Sequence, residues 1–205
     1  MVVSRFAPAP TGHLHIGHVV NALHVWSAVR ARGGTILVRI EDHDRQRSRR
    51  EFEVSILEDL AWLGFQADAP PVRQSERDAV YEDALQRLRD RGLVYACSCS
   101  RSEIAAAGDA SDAELRYPGT CAARGLPEQV GYGLRVRLEP TVERFVDLRH
   151  GPLEQTPSKQ CGDLLVRDRY GQWTYQFAAT VDDLVPQPVT MEALEEAVST
   201  FKPTS

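Results

Sequence analysis

The stretch "VVSRFAPAPTGHLHIGHVVNALHVWSAVRARGGTILVRI", Val2 to Ile40, decides the fold. "VVSRF" reads as a short buried strand. Apolar residues then recur at helical spacing from Val19 to Arg32, and Gly33-Gly34 closes the helix. "TILVRI" is apolar and β-rich, a second strand. Strand, helix, strand is a βαβ unit, which implies parallel strands and a right-handed crossover. The class is therefore α/β. Between first strand and helix sit His13, His15 and His18. A helix N-terminus exposes free N–H groups and a positive dipole end, which suits phosphate. Gly12 and Gly17 allow close approach to the backbone. H-x-H-x-x-H also fits a metal, with "EDHD" (Glu41 to Asp44) supplying carboxylates. A chance cluster is the third reading, and spacing alone leaves all three open.

Further along, Ser48 and Glu51 form the pattern of a capping box. The helix it opens carries Phe52, Ile56, Leu60 and Leu63 on one face. Ser75 to Arg91 reads as a helix with Val80, Ala84 and Leu88 inward. The character changes at Gly92. "LVYAC" is a strand, and Ser100 with Glu103 caps a short helix. "GLRVRLE", "RFVDLRHG", "GDLLVRD" and "WTYQFAATV" read as strands between turn residues. This is a smaller α+β insert. "PQPVTMEALEEAV" reads as a linker and a helix N-capped by Thr190, with Val189 and Leu194 as a staple.

The 205 residues suffice for one sizeable core with a small inserted module. No apolar run is long enough to span a membrane, and the first residues lack a signal-peptide layout, so a cytoplasmic protein without a membrane partner is expected. A net charge of -5 argues against indiscriminate nucleic-acid coating. It leaves room for a local basic face such as "RQRSRR", Arg45 to Arg50. Of four cysteines, Cys97, Cys99 and Cys121 cluster in sequence while Cys161 stands apart. In a cytoplasmic chain metal ligation is the stronger reading than disulfides.

"RFAPAPTGHLHIGH" followed by "LVRIEDHD" resembles the glutamyl branch of class I aminoacyl-tRNA synthetases, over about residues 3 to 183. The first stretch is similar to that family's R-F-[AP]-P-x-P-[TS]-G-x-L-H-x-G motif, with the HIGH signature as His15, Ile16, Gly17 and His18. The second is similar to its R-I-E-D-x-D motif. The resemblance implies an α/β class I synthetase Rossmann-like nucleotide-binding fold with an inserted zinc-containing α+β subdomain. It implies that His15, Gly17 and His18 serve the ATP phosphates, with Mg²⁺ accompanying ATP. Arg5, Phe6, Ala7, Pro8 and Ala9 would line the glutamate pocket, Arg5 pairing with a substrate carboxylate as arginine's planar fork allows. Glu41 would receive the α-ammonium of L-glutamate, and Tyr175 would touch the amino acid.

One branch of the family carries zinc on C-x-C, a loop, then Y-x-x-x-C. Here that implies structural Zn²⁺ on Cys97, Cys99, Tyr117 and Cys121, a donor set that suits zinc. Cys161 lies outside the pattern. The branch consists of short relatives that attach glutamate to the queuosine base in the anticodon of tRNA(Asp). A truncated conventional glutamyl-tRNA synthetase is the alternative. A metallohydrolase using the histidines, or an inactive glutamate- or tRNA-binding module, are the readings from other classes.

The family should continue after "VDD" with a second half bearing a lysine-rich KMSKS-type loop, which this sequence lacks. "PSKQ", Pro157 to Gln160, precedes the segment with Tyr175 and does not count. The expected organisation is residues 1–92 as the first half of the catalytic domain, 93–172 as the zinc-binding, acceptor-type subdomain, and 173–205 as a return strand and C-terminal helix, with most of the second half deleted. Impaired activity is the expected consequence.

Overall fold

Val3–Phe6 (β1) and Thr35–Ile40 (β2) pair in parallel, Val3 opposite Thr35 and Phe6 opposite Val38. Helix Ile16–Arg30 (α1) joins them, as the βαβ reading expects. Ile36 to Ile40 are all buried, as befits a central parallel strand covered on both faces. Its other neighbour is a short third strand, Val72–Arg73 (β3), so the sheet order is β1-β2-β3. Helix Arg50–Trp62 (α2) lies between β2 and β3 in the chain. This computed structural model describes residues 2–107 and 116–184. The chain divides into two units, Met1–Val80 with Ala178–Ser205, and Tyr81–Phe177.

The first unit's core joins Phe6, Ala22, Trp26, Val29, Ile36, Val38, Ile40, Ile56 and Leu60. Trp26 meets Phe6 edge-on, and its indole N–H donates to the Gln66 carbonyl at 3.1 Å. Arg30, in the last turn of α1, grips Asp68 bidentately at 2.8 and 2.9 Å, and Asp68 also accepts the Ile36 N–H. Gly34 makes the tight return to β2 feasible, since a Cβ there would lie 2.6 Å from the Val2 carbonyl oxygen.

The second unit contains helix Asp78–Asp90 (α3) from Tyr81 onward, strand Val94–Cys97 (β4), helix Arg101–Ala107 (α4) and strand Gly133–Val136 (β5). A hairpin follows, Glu143–Asp147 (β6) with Gly151–Gln155 (β7), then a single helical turn, Pro157–Gln160 (α5), and strand Leu164–Arg167 (β8). β4, β5 and β8 form an antiparallel sheet in that order. The Ser100–Glu103 capping box is present: Ser100 N–H donates to Glu103 Oε2 and Glu103 N–H to Ser100 Oγ.

Four readings of local structure are corrected. "WTYQFAATV" is not a return strand. Trp173 still bridges to Arg167, but Tyr175–Leu184 is a helix (α6) that bridges the two units in the chain. Phe177, Ala178, Ala179, Val181 and Asp182 are its buried positions, a helical repeat that the aromatic and β-branched residues around it obscure. Ser48 does not cap α2. The N-cap is Arg49, with no side-chain cap bond, and Ser48 Oγ is buried without a partner. Ser75 is held instead by Asp42, whose carboxylate accepts its N–H and hydroxyl at 2.8 and 2.6 Å. The Ser75–Arg91 helix therefore splits into a 3₁₀ turn at Gln74–Glu76 and α3, which buries Tyr81 and Leu85 rather than Val80, Ala84 and Leu88. Leu63 is exposed beyond the end of α2. The tail helix with Thr190 lies outside the described residues.

Candidate active site and thiol cluster

Helix α1 starts earlier than its apolar pattern, because His15 is its N-cap. His15 Nδ1 accepts the Gly17 N–H at 3.1 Å, and His18 Nδ1 accepts the His15 N–H at 3.2 Å. This is a capping box built from two imidazoles, their ring centroids 3.9 Å apart. An Nδ1 that accepts is unprotonated, so each neutral ring carries its proton on Nε2. Both Nε2–H groups thus remain donors at a helix N-terminus. Burial, then the neighbouring His15, hold the His18 pKa below its ordinary 6.5. The unfolded chain therefore takes up that proton first. The contribution of the cap to stability is present above pH 6.5 and lost as pH falls below it. A urea midpoint that declines from pH 7.5 to 5.5, with a smaller decline in His18→Asn, is the expected result.

Gly17 is part of the same device. A Cβ on it would come within 2.9 Å of His15 Cε1 and 3.1 Å of Nδ1. Gly17→Ala is expected to turn the His15 ring out of the cap, costing about 0.5–2 kcal/mol, the range of a lost N-cap. Urea unfolding and the His15 Nδ1 chemical shift check it. His13 is separate from this pair. Its Nδ1 lies 3.0 Å from Ser55 Oγ, and its ring meets Phe52 edge-on, both on α2.

At the end of β2, Glu41 is buried and accepts from Arg39 Nη2 at 2.9 Å. Burial pushes the Glu41 carboxyl above its ordinary value, against the pull of Arg39. Sequence reasoning missed Arg39, whose side chain is only 3% exposed and also reaches Asp183 at 2.7 Å and Asp182 at 3.7 Å. Asp182, fully buried, accepts from Gln74 Nε2 and Arg77 Nε. Arg5 grips Asp183 through Nε and Nη2 at 3.1 and 2.9 Å, the fork geometry a carboxylate ligand needs. Arg5, Arg39, Asp182 and Asp183 line a cleft of about 290 Å³. The other residues expected in the glutamate pocket do not line this cleft: Phe6 and Pro8 are buried, while Ala7 is half-buried and Ala9 exposed. Tyr175 belongs to the second unit, at the start of α6, and is half exposed. "RIED" could have flagged Arg39, but a strand arginine is ordinarily read as solvent-facing.

The "EDHD" acids do not converge with the histidines. Asp42 is held by Ser75, His43 Nδ1 lies 2.7 Å from Gln74 Oε1, and Asp44 pairs with Arg47. Among the described residues the metal-competent group is Cys97, Cys99 and Cys121, their sulfurs all within 4.8 Å of one another. β4 delivers Cys97, the turn after it Cys99, and the loop after Tyr117 delivers Cys121. The Cys97 thiol lies 3.4 Å from the Tyr117 hydroxyl oxygen, which also accepts the Cys121 N–H at 2.8 Å. Burial raises the Cys121 thiol, but the Ser98 N–H and the Cys99 and Tyr117 contacts outweigh it and bring the pKa down to about 6. Burial pushes Cys99 up to about 11 and raises Tyr117 as well. The set can thus furnish one ready thiolate, and a cation would draw out the rest. The core here joins Cys97, Ile104, Tyr117 and Cys121, with Tyr95, Cys99 and Leu126 packed against it, a small apolar cluster. Cys161 stays outside the group; its sulfur faces the Pro157 and Gly162 carbonyl oxygens.

Residues 1–190 match the family model for class I tRNA synthetases (E and Q), catalytic domain. A "Glutamyl-Q tRNA(Asp) synthetase" of Rhodobacter capsulatus is 37% identical, covering 89% of this chain and 72% of the relative. The protein of that name from Burkholderia cenocepacia is 44% identical, covering 87% of this chain and 62% of the relative. Among solved structures, a glutamate tRNA ligase from Elizabethkingia meningosepticum in complex with its amino acid superposes with a TM-score of 0.72 at 28% identity. That match covers 89% of this chain but 41% of the ligase. The chain thus spans 62–72% of the length of the curated relatives described.

Proposed function

The chain belongs to the catalytic-domain family of class I tRNA synthetases for glutamate and glutamine, and we propose that it activates L-glutamate with ATP and transfers it to the queuosine base of tRNA(Asp). The observation that carries the reading is the double-imidazole cap. Two neutral rings, fixed through Nδ1, present Nε2–H donors where the amide groups of α1 already favour an anion. In adenylate formation a glutamate carboxylate oxygen attacks the α-phosphorus of ATP and pyrophosphate leaves. Charge grows on the phosphate oxygens, and His15 and His18 are the donors we assign to it. Mg²⁺ accompanies ATP. We assign Arg5 to a substrate carboxylate and Glu41 to the α-ammonium, with Phe6, Ala7, Pro8 and Ala9 beside them in the chain.

For the thiol cluster we propose structural Zn²⁺ on Cys97, Cys99, Cys121 and Tyr117. Zinc–sulfur bonds of about 2.3 Å put tetrahedral sulfurs about 3.8 Å apart, which the observed spacing accommodates. The metal would hold the insert together rather than catalyse. Cys97→Ser with Cys99→Ser is expected to abolish stoichiometric zinc by metal analysis. Full zinc in that variant would return the metal to the histidines and favour a metallohydrolase.

The test of the main reading is glutamate-dependent ATP–pyrophosphate exchange, then labelling of tRNA(Asp) with and without queuosine. Labelling only with queuosine supports the proposal. Labelling of a tRNA(Glu) 3′ end instead would favour a truncated glutamyl-tRNA synthetase. Salt sensitivity of tRNA binding tests a phosphate-contacting role for Arg45, Arg47, Arg49 and Arg50. Glutamate binding without exchange would instead favour an inactive glutamate- or tRNA-binding module.

A further inference from the structure

Arg135 is a buried cation that makes no ion pair among the described residues. It sits on β5 and is 7% exposed. Nη1 donates to the Asp163 main-chain oxygen at 2.7 Å, a neutral partner, and Nε has no partner. The Asp163 carboxylate is already taken by the Tyr95 hydroxyl and the Leu138 N–H. No described ion pair uses Arg135. A guanidinium buried in this way is costly unless an anion balances it. What lies against it is the thiol cluster. Its guanidinium carbon stands 3.6 Å from the centre of the Tyr117 ring. A second arginine, Arg124, places Nη1 3.7 Å from Cys121 Sγ.

A zinc ion with three thiolates and a phenolate is net negative. Two cations over two of its ligands are the complement that such a centre requires. We propose that Arg135 and Arg124 are positioning residues of the zinc site, balancing its charge and, through the Arg135–Tyr117 stack, fixing the ring that supplies the oxygen ligand. The inference rests on the zinc reading above. It also gives a physical reason why a tyrosine can serve among thiolates: a guanidinium over its face favours charge on the ring. Arg135 would act through Tyr117 and Arg124 through Cys121, neither touching the metal.

The experiment compares the parent chain with Arg135→Met, Arg135→Lys and Arg124→Gln. The readouts are zinc per chain, the rate of zinc release to a chromogenic chelator, and the absorption spectrum of the cobalt-substituted protein. Arg135→Met should release zinc about 10- to 100-fold faster, the usual loss when an outer partner of a ligand is removed. Its cobalt spectrum should be altered, with far-ultraviolet circular dichroism preserved. Arg135→Lys should recover part of the retention, because the charge remains and the planar stack does not. Parental release rates and an unchanged cobalt spectrum in Arg135→Met would overturn the proposal. If Arg135→Met does not fold, the exposed Arg124→Gln decides alike: faster release supports the proposal, a parental rate overturns it. A parent chain that binds no zinc would refute the zinc reading itself, and this inference with it.

Discussion

His18→Gln is expected to keep most of the rate of glutamate-dependent pyrophosphate exchange, whereas His18→Asn and His18→Ala should lower it by about 10²- to 10³-fold. The argument is positional. The Asn amide reaches about as far as Nδ1, and the Gln amide about as far as Nε2. In this site Nδ1 has a structural task, accepting the His15 N–H, and Nε2–H is the group we assign to phosphate. Asn should therefore keep the cap and lose the donor. Gln should keep the donor and weaken the cap. Stability should move the opposite way, with Gln and Ala losing about 0.5–2 kcal/mol in urea unfolding and Asn losing little. If rate and stability fall together across all three variants, the two nitrogens do not divide the work as described.

Arg39→Met is the change with the largest expected effect on stability, about 3–5 kcal/mol. The side chain is buried with Glu41 and Asp182, and it reaches the half-exposed Asp183. Removing the guanidinium strands the buried Glu41 carboxylate, while Asp182 keeps Arg77 and Gln74 and Asp183 keeps Arg5. The loss arises less from the missing attraction than from the charges left behind. Neutralising a survivor should consequently repair part of the damage: Arg39→Met with Glu41→Gln is expected to be more stable than Arg39→Met alone. Urea unfolding at neutral pH measures both. A double variant no more stable than the single one would show that Arg39 acts through packing of its stem instead.

The parallel βαβ unit was legible because its signals are local. A β-branched apolar run, a helical repeat and a Gly-Gly stop each act over a few residues, and the chain's covalent order does the rest. The HIGH and R-I-E-D stretches were legible for the same reason, being continuous motifs. So was the Cys-x-Cys pair with its distant Tyr-x-x-x-Cys, although spacing alone could not say that three sulfurs meet within 4.8 Å. Where sequence reasoning erred, a competing partner lay far away in the chain. Ser75 reads as a helix start, but Asp42 holds it. Ser48 is the exception: it reads as a cap, but its hydroxyl is buried with no partner at all.

What tertiary structure alone decided is the burial and pairing of charge. Asp182 and Asp183 lie more than a hundred residues from Arg39 and Arg77, and no periodicity marks them. Likewise, nothing local distinguishes Arg135 from the exposed arginines elsewhere in the chain. Local propensity reports which conformation a residue favours. The cost of burying a charge depends on what surrounds it, and that is fixed only when distant segments meet.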